Sequence, residues 1–152
     1  LHFYRVCDNL QASRERPSAP RSGEYVVDPK QMQIMVLDDE ESIRESLADF
    51  LEDYDYRVLT AETAEEGLRV IAEQPVDVAI VDMRLPGQDG NSFILEAHRK
   101  SPRTRFIIHT GSVNYHIPPE VRDVGITPEF VFLKPVGNLT SFIDAIEKLA
   151  SA

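Results

Sequence analysis

Short apolar segments alternate with longer segments of helical periodicity over most of this chain, from about Gln33 onward. Five of the short segments are predicted to be strands. They are Ile34–Leu37, Arg57–Ala61, Val76–Asp82, Arg105–Thr110 and Phe130–Leu133. Strands that alternate with helices form βαβ units and pair in parallel. The pattern therefore predicts an α/β fold built on a parallel sheet.

The first two helices are predicted from apolar residues spaced three and four positions apart, which place one apolar face toward the sheet. Ser42 with Glu45 fits a capping box for the first helix, and Thr63 with Glu66 fits one for the second. The residues expected to face the core are Ile43, Leu47, Phe50, Leu51, Tyr54, Leu68 and Ile71.

A third helix is predicted over Asn91–Lys100. The fourth helix must be short, because Pro118-Pro119 permits a helix only from about Pro119 and Gly125 can end it. A fifth helix completes the pattern after the last strand. The residues expected to be buried in the third and fifth helices are Phe93, Ile94, Ala97, Leu139, Phe142, Ile143, Ile146 and Leu149.

Length and charge limit the function classes open to the chain. Its 152 residues suit one domain with a full hydrophobic core and leave no room for a second catalytic domain. With 16 Lys and Arg against 26 Asp and Glu, the net charge of −10 opposes direct binding to nucleic acid or to an anionic membrane. One cysteine, Cys7, excludes an internal disulfide, and no apolar stretch approaches the roughly 18 residues of a membrane span. A soluble cytoplasmic protein is expected.

The first 31 residues differ from the rest of the chain. They contain Pro17, Pro20 and Pro29, lack a sustained period, and carry five Lys and Arg against four Asp and Glu. Such a composition favours a mobile arm or linker over residues 1–31, although residues 1–10 would also suit a short helix docked on a neighbour. The folded domain is expected over residues 32–152.

Chemically useful side chains stand at the carboxyl ends of four predicted strands. Asp38-Asp39 follows the first strand, Asp82 ends the third, Thr110 ends the fourth and Lys134 follows the fifth. Parallel strands all point the same way, so these side chains are expected at one edge of the sheet. The crevice outside that edge is where open α/β sheets bind their ligands.

Three carboxylates at one edge repel each other unless a cation lies among them. An all-oxygen set of ligands, without Cys or His, suits a hard ion such as Mg²⁺ and disfavours zinc. Lys134 adds a compact positive charge and Thr110 a hydroxyl donor, as required to bind a phosphoryl group in transfer. The candidate nucleophile is a carboxylate, since aspartyl phosphate is a known type of covalent intermediate.

Taken in order, these motifs resemble the receiver domain of two-component response regulators, and the resemblance covers about residues 32–152. The motifs are Asp38-Asp39, the stretch Asp82-Met83-Arg84-Leu85-Pro86-Gly87-Gln88-Asp89-Gly90, Thr110 and Lys134-Pro135. Each is weak alone, since an aspartate can cap a helix and a lysine can simply be solvated, but together they are specific. The resemblance implies a flavodoxin-like, doubly wound sheet of order 2-1-3-4-5 with helices on both faces.

The resemblance also implies how the carboxylates act. Asp82 would be the phosphoacceptor, receiving a phosphoryl group from a sensor histidine kinase or a histidine phosphotransfer protein. Asp39 and Asp82 would ligate Mg²⁺ directly, with the backbone carbonyl of Arg84 as a third protein ligand and Asp38 acting largely through water.

The other site residues would respond to the phosphoryl group. Lys134 would pair with the acceptor and then with the phosphoryl group, and Thr110 would move toward it, while the Lys134-Pro135 bond would be cis. The protein would then be a signalling phosphoacceptor that assists its own phosphorylation and dephosphorylation. Its output would pass to a downstream protein or an attached output domain, and its oligomeric state is left open.

The chain departs from the family pattern near the fifth strand. Val131 stands three residues before Lys134, where many receivers carry an aromatic switch residue. Phe130 and Phe132 flank it, but a shift of one residue moves a strand side chain to the opposite face. An aromatic switch is therefore not expected. The interval from Thr110 to Lys134 is also longer than usual, so a dimer through the surface of the fourth helix, fifth strand and fifth helix is not assumed.

Arg84 and Ser112 occupy positions that tune how fast the aspartyl phosphate hydrolyses in this family. A long arginine over the site would shield it from water, which leads to the hypothesis of slow dephosphorylation. His98, His109 and His116 show no catalytic or metal-binding spacing and are expected at the surface or beside a strand.

Three alternatives remain at this point: a Mg²⁺-dependent phosphatase with an aspartyl nucleophile, a flavin-binding electron carrier, and a constitutive scaffold with a silent site. A phosphatase of the haloacid-dehalogenase type would need a second Asp two residues after the nucleophile, but Glu40 follows Asp38-Asp39. A flavin carrier would need a Ser/Thr/Gly-rich phosphate loop after the first strand, where Asp39-Glu40-Glu41 would repel phosphate.

Overall fold

The computed structural model describes residues 31–151, which contain one five-stranded sheet. Its strands are β1 (Gln33–Leu37), β2 (Arg57–Ala61), β3 (Val78–Val81), β4 (Arg105–Thr110) and β5 (Val131–Leu133). They lie in the order β2-β1-β3-β4-β5, and every neighbouring pair is parallel. The predicted α/β class and strand order are confirmed.

The described helices cover both faces of the sheet. They are α1 (Glu41–Asp53), α2 (Ala64–Glu73), α3 (Gly90–Lys100), α4 (Pro119–Asp123) and α5 (Thr140–Ala150). One hydrophobic cluster joins α2, α3 and α4 to the sheet, and a second joins α1 and α5 to its other face. The sheet is therefore doubly wound, as the resemblance implied.

Side chains of the central strands alternate between the two clusters. Met35 and Leu37 of β1 belong to the cluster with α2 and α3, whereas Ile34 and Val36 belong to the cluster with α1 and α5. All four residues of β3 are buried, as predicted for a strand covered on both faces. Burial on both faces holds the ends of β1 and β3 in a fixed relation.

The predicted start of the second helix is confirmed at its cap. The Thr63 hydroxyl oxygen accepts a hydrogen bond from the Glu66 N–H at 3.1 Å. The Glu66 carboxylate in turn accepts from the N–H of Glu62 rather than from that of Thr63. The pair thus works as a capping box whose return bond is displaced by one residue.

The predicted capping box of Ser42 and Glu45 is wrong. Helix α1 begins at Glu41, after an N-cap residue, Glu40, whose side chain makes no capping hydrogen bond. The N–H of Glu40 instead donates to Asp38 Oδ1 at 2.9 Å. Asp38, at the end of β1, thus accepts from the N–H of the N-cap residue, which is the bond that the glutamate of a capping box would make, and the helix begins close to the sheet edge.

Two further predictions need correction. Tyr54 was placed on the buried face of the first helix, but it is 44% exposed beyond the end of α1, with its ring 5.0 Å from that of Phe50. Phe130 was placed in the fifth strand, but it closes a short 3₁₀ helix, Pro128–Phe130. The ring of Pro128 suits the first position of a helix, and this shortens β5 to three residues.

The fourth helix is short, as predicted. Helix α4 has five residues, with Pro119 in its first turn, and Gly125 follows with φ of +107°. The predicted arm over residues 1–31 lies outside the described residues, apart from Gln31, so its extent stays a prediction. Among residues 31–151, no helix combines the length and the apolar character needed to cross a membrane.

Candidate functional site

The predicted site residues come together at the carboxyl edge of the sheet. Leu37 pairs in register with Val81, so Asp38 and Asp82 leave neighbouring strands at the same level. Thr110 pairs with Leu133, which places Lys134 beside the end of β4. The two pairs of strands thus deliver carboxylates and cation to one location.

Lys134 lies among three carboxylates. Its Nζ is 2.7 Å from Asp38 Oδ2, 3.3 Å from Asp82 Oδ2 and 3.8 Å from Glu40 Oε1. Burial favours the neutral amine, yet the hydrogen bond and charge of Asp38, with those of Asp82, raise the pKa of Lys134 above its ordinary value. Lys134 therefore stays positively charged. The position of Glu40 beside Lys134 was not predicted from the sequence.

Asp82 is 4% exposed, and burial raises its pKa above the ordinary value for a carboxyl. The Arg84 N–H, which donates to Asp82 Oδ1 at 3.2 Å, and the charge of Lys134 act in the opposite direction. The negative charge of Asp38 adds to the rise. Burial and the neighbouring carboxylate thus disfavour the charged form of Asp82, and a second positive charge beside it would stabilise that form.

The carboxylates of Asp38, Asp39 and Asp82 suit a divalent metal ion. One oxygen from each lies within 4.8 Å of the others. Asp38 and Asp82 are buried, whereas Asp39 is exposed, so the cluster opens toward solvent on one side. A hard ion that keeps several waters, such as Mg²⁺, fits an all-oxygen set with one open side. An open depression of about 590 Å³, lined by Asp39 and residues 83–89, adjoins it.

Thr110 is fully buried at the end of β4. Its hydroxyl oxygen accepts a hydrogen bond from the Ser112 N–H at 3.2 Å, within the loop that follows the strand. Its carbonyl oxygen accepts from the Lys134 N–H at 2.8 Å. The two residues expected to respond to a phosphoryl group are therefore bonded to each other through the backbone. The Lys134-Pro135 bond is cis, as expected.

The side chains around Val131 follow the predicted alternation. Val131 packs against the cluster with α2, α3 and α4, whereas Phe130 and Phe132 belong to the opposite one. The ring of Phe132 lies 4.8 Å from that of Phe142 of α5. Neither aromatic residue therefore faces the side on which Val131 lies.

Two supporting residues were missed by sequence reasoning. Arg44 of α1 is only 8% exposed; its guanidinium donates to the Asp38 carbonyl at 2.9 Å and to Glu62 Oε1 at 3.3 Å. Gly90 packs so closely under the site that a Cβ there would lie 2.5 Å from the Asp82 carbonyl oxygen. An arginine within a helical pattern and a glycine after a turn are too common to mark such roles.

The expectation that the histidines lie at the surface or beside a strand holds for His116 and His109, whereas His98 is partly buried in α3, where its Nδ1 has no hydrogen-bond partner among the described residues. His116 is exposed and His109 lies in β4, where it is 6% exposed and meets the ring of Phe142 edge-on at 5.1 Å. Burial, followed by the charge of Lys134, lowers the pKa of His109 to about 4, while Asp38 acts in the opposite direction. His109 is therefore neutral at pH 7.

A sheet of order 2-1-3-4-5, with a carboxylate cluster and a lysine at its carboxyl edge, defines a flavodoxin-like α/β protein with an acidic, cation-binding type of site. The chain belongs to the response regulator receiver domain family, whose model matches residues 34–146. Proteins of this family are signalling phosphoacceptors that bind Mg²⁺ at an acidic pocket.

Relatives include transcriptional regulatory proteins. The hydrogenase transcriptional regulatory protein HoxA of Cupriavidus necator is 35% identical over 82 residues, which are 54% of this chain and 17% of HoxA. The transcriptional regulatory protein GlrR of Escherichia coli is 31% identical over 127 residues, 81% of this chain and 28% of GlrR. The chain thus spans less than a third of the length of either relative.

The fold is similar to that of a solved receiver domain. The CheY-like response regulator receiver domain protein of Methanospirillum hungatei superposes with a TM-score of 0.72 at 27% identity, covering 80% of this chain and 94% of that one. The family assignment favours the receiver over the phosphatase and flavin-carrier alternatives. A silent scaffold remains a matter for experiment.

Proposed function

We propose that Asp82 accepts a phosphoryl group from a histidine of a sensor kinase or of a histidine phosphotransfer protein. The observation that carries the proposal is the contact of one lysine, Lys134, with both Asp38 and Asp82 inside a three-carboxylate cluster. A carboxylate cluster with its own cation and an open side is arranged for an anionic group and a metal ion to enter together.

The transfer needs an oxygen of Asp82 to attack the phosphorus of a phosphohistidine. A P–O bond forms, the P–N bond breaks, and the departing imidazole nitrogen takes up a proton from water. The Lys134 ammonium, 3.3 Å from Asp82 Oδ2, stabilises the negative charge on the transferred oxygens. The Thr110 hydroxyl would then donate to a phosphoryl oxygen. Donors of this kind act most strongly in a buried site.

The residues proposed to hold Mg²⁺ are Asp38, Asp39, Asp82 and the backbone carbonyl of Arg84, with Asp38 acting largely through water. When bound, Mg²⁺ would neutralise charge on the carboxylates and on the phosphoryl oxygens. The geometry supports this assignment, because one oxygen of each of the three aspartates lies within 4.8 Å of the others and a divalent cation would offset their mutual repulsion.

The phosphorylated domain would pass its signal to a downstream protein or to an attached output domain, and we place this function in the cytoplasm. The acidic charge of the chain opposes direct contact with nucleic acid. Any DNA binding of the kind suggested by relatives that are transcriptional regulators would therefore belong to a partner or to a further domain.

The test is the intact mass of the protein after incubation with acetyl phosphate, with and without Mg²⁺. We expect a Mg²⁺-dependent gain of one acid-labile phosphoryl group. Asp82→Asn should show no gain, whereas Asp144→Asn, which changes an exposed carboxylate of α5, should behave as the unaltered chain. No gain in the unaltered chain, or an equal gain in Asp82→Asn, would contradict the proposal and favour the silent scaffold.

We propose in addition that Arg84 slows the hydrolysis of the aspartyl phosphate. Its side chain is exposed and lines the depression beside the cluster, where it can limit the approach of water to phosphorus. Arg84→Ala should shorten the phosphorylated lifetime severalfold, as followed by the decay of the added mass. Arg99→Ala, at an exposed position of α3, serves as control. A lifetime that is unchanged in Arg84→Ala counts against the hypothesis.

A further inference from the structure

A hydrogen bond between two side chains joins the loop after β4 to the start of α3. The Tyr115 hydroxyl donates to Asn91 Oδ1 at 2.6 Å, and both residues are partly buried. The Tyr115 ring packs against the hydrophobic cluster on the α2 and α3 side of the sheet. Neither residue belongs to the motifs of the site, and 24 residues of chain separate them.

One end of this connection leads to Thr110. The Tyr115 N–H donates to the Ser112 carbonyl at 3.3 Å, and the Ser112 N–H donates to the Thr110 hydroxyl oxygen at 3.2 Å. The loop from Thr110 to Tyr115 is therefore closed by its own hydrogen bonds. A displacement of the Thr110 side chain toward Asp82 has to break the bond to Ser112 or carry the loop with it.

The other end leads to Asp82. Asn91 follows Gly90, whose N–H donates to the Met83 carbonyl at 3.1 Å. A Cβ at Gly90 would lie 2.5 Å from the Asp82 carbonyl oxygen and 2.8 Å from Met83 Cα, so the start of α3 rests directly on the backbone next to the acceptor. The Tyr115–Asn91 bond therefore completes a series of contacts that runs from Thr110, through the loop after β4 and the start of α3, to the backbone of Asp82.

The hydroxyl of Tyr115 remains protonated, so it can always donate its hydrogen bond to Asn91. Burial, with the negative charge of Asp89, raises the pKa of Tyr115 to about 12, so its hydroxyl keeps its proton at any physiological pH. Asp82 forms an ion pair with Lys134 and accepts a hydrogen bond from the Arg84 N–H, and among the described residues no hydrogen bond joins Thr110 to Asp82. This series of contacts is thus present together with a Thr110 hydroxyl that does not contact Asp82 through a hydrogen bond.

We propose, on the basis of the proposed function, that the Tyr115–Asn91 hydrogen bond is a restraint on the Thr110 loop that opposes the phosphorylated arrangement. Tyr115 and Asn91 are then positioning residues, because they act through the loop and do not touch the phosphoryl group. When Thr110 moves toward Asp82 and carries the loop with it, the Tyr115–Asn91 bond lengthens or breaks, so its loss makes that movement easier. A neutral hydrogen bond of ordinary net strength corresponds to about a fivefold change in an equilibrium constant.

The test measures the affinity of the full chain for beryllofluoride, a mimic of the phosphoryl group, in the presence of Mg²⁺ by NMR titration of ¹⁵N-labelled protein. Tyr115→Phe keeps the ring and removes the hydroxyl, and it should bind beryllofluoride about five times more tightly. Asn91→Ala should give a similar gain, and the double variant should exceed neither single variant by much, because all three lose the same bond. Tyr54→Phe, at an exposed tyrosine of the α1 end, should leave the affinity unchanged.

Thermal unfolding of the same variants separates a restraint from general structural support. Tyr115→Phe should unfold at a lower temperature without ligand while binding beryllofluoride more tightly, whereas general loosening of the fold would weaken binding. Unchanged or weakened binding in both Tyr115→Phe and Asn91→Ala overturns the restraint. A failure of the unaltered chain to bind beryllofluoride would contradict the proposed function itself, and the proposed restraint would then be wrong as well.

Discussion

The two sides of the site differ in how firmly the fold holds them. The carboxylates follow β1 and β3, which have strands on both edges and are almost wholly buried, and which lead into α1 and α3 of 13 and 11 residues. Thr110 also ends a buried strand, β4, but the segments after it are short: α4 has five residues, and β5, which leads to Lys134, has three partly or fully exposed residues. We call these the β1–β3 side and the β4–β5 side.

This difference assigns different tasks to the two sides. Metal ligands and a nucleophile need fixed positions, because small displacements weaken coordination and transfer. Groups that respond to phosphorylation have to move, and movable segments come from parts of a fold with few buried contacts. The β1–β3 side therefore suits the chemistry, and the β4–β5 side suits the response.

The largest effect is expected from a change that breaks the β1–β3 side. Gly90→Ala places a Cβ 2.5 Å from the Asp82 carbonyl oxygen, so backbone must shift, and we expect a loss of about 3–4 kcal/mol in the free energy of unfolding. Gly137→Ala, where nothing lies within 4 Å on the β4–β5 side, should change it by less than about 0.5 kcal/mol. Urea unfolding measures both, and equal losses would refute the contrast.

The next effect depends on pH. His109 has its pKa lowered to about 4 from 6.5, so the unfolded chain binds more protons between these values, and stability falls as the pH falls from 6.5 to 4. The loss amounts to about 3 kcal/mol and is complete below pH 4. His109→Leu should remove this part of the pH dependence of urea unfolding, while His116→Gln, at an exposed histidine, should keep it. A profile of His109→Leu that matches the unaltered chain would exclude His109 as the cause.

A smaller loss is expected for the arginine that supports the acidic pair. Arg44→Met removes hydrogen bonds from a buried guanidinium to the Asp38 carbonyl and to Glu62, at a cost of about 2 kcal/mol. Calorimetric titration should also show weaker Mg²⁺ binding, because Asp38 loses its anchor. Arg69→Met breaks only an exposed pair with Glu65 at 3.9 Å and should cost about 0.5 kcal/mol or less. Mg²⁺ binding unaltered in Arg44→Met would separate Arg44 from the metal site.

The smallest change in the free energy of unfolding is expected for a substitution in β5. Leu133 is 47% exposed at the end of β5, so Leu133→Ser should lower the free energy of unfolding by less than about 0.5 kcal/mol. The gain of mass with acetyl phosphate should be unchanged. A large loss of stability would show that β5 is held as firmly as β3.

The buried strands were predictable because a parallel sheet covered on both faces requires continuous apolar runs. The meeting of Asp38 and Lys134, which are 96 residues apart, was predictable as well, because parallel strands all end at the same edge of the sheet. The start of α1 was not predictable from Ser42 and Glu45, since the bond that replaces their box comes from Asp38 at the sheet edge. Rules based on local sequence do not predict a hydrogen bond that depends on how the strand end lies against the start of the helix.

The supporting contacts of the site were hidden for a similar reason. Nothing near Tyr115 or Asn91 in the sequence indicates their bond, because it depends on how the loop after β4 packs on α3. The close packing of Gly90 likewise depends on the path of the chain after β3. The residue types that bear chemistry were visible as a pattern, whereas the residues that hold them in place were visible only in three dimensions.

The backbone hydrogen bond from the Lys134 N–H to the Thr110 carbonyl has a consequence at the molecular surface. β5 is the last strand in the order, so among the described residues no strand pairs with its outer edge. In the phosphorylated arrangement proposed above, a shift of Thr110 would carry Lys134 and the end of β5 with it, and would so displace that edge of the sheet. A charge added to Asp82 would thereby change the outline of the protein, and a partner could sense that change without contacting the phosphoryl group.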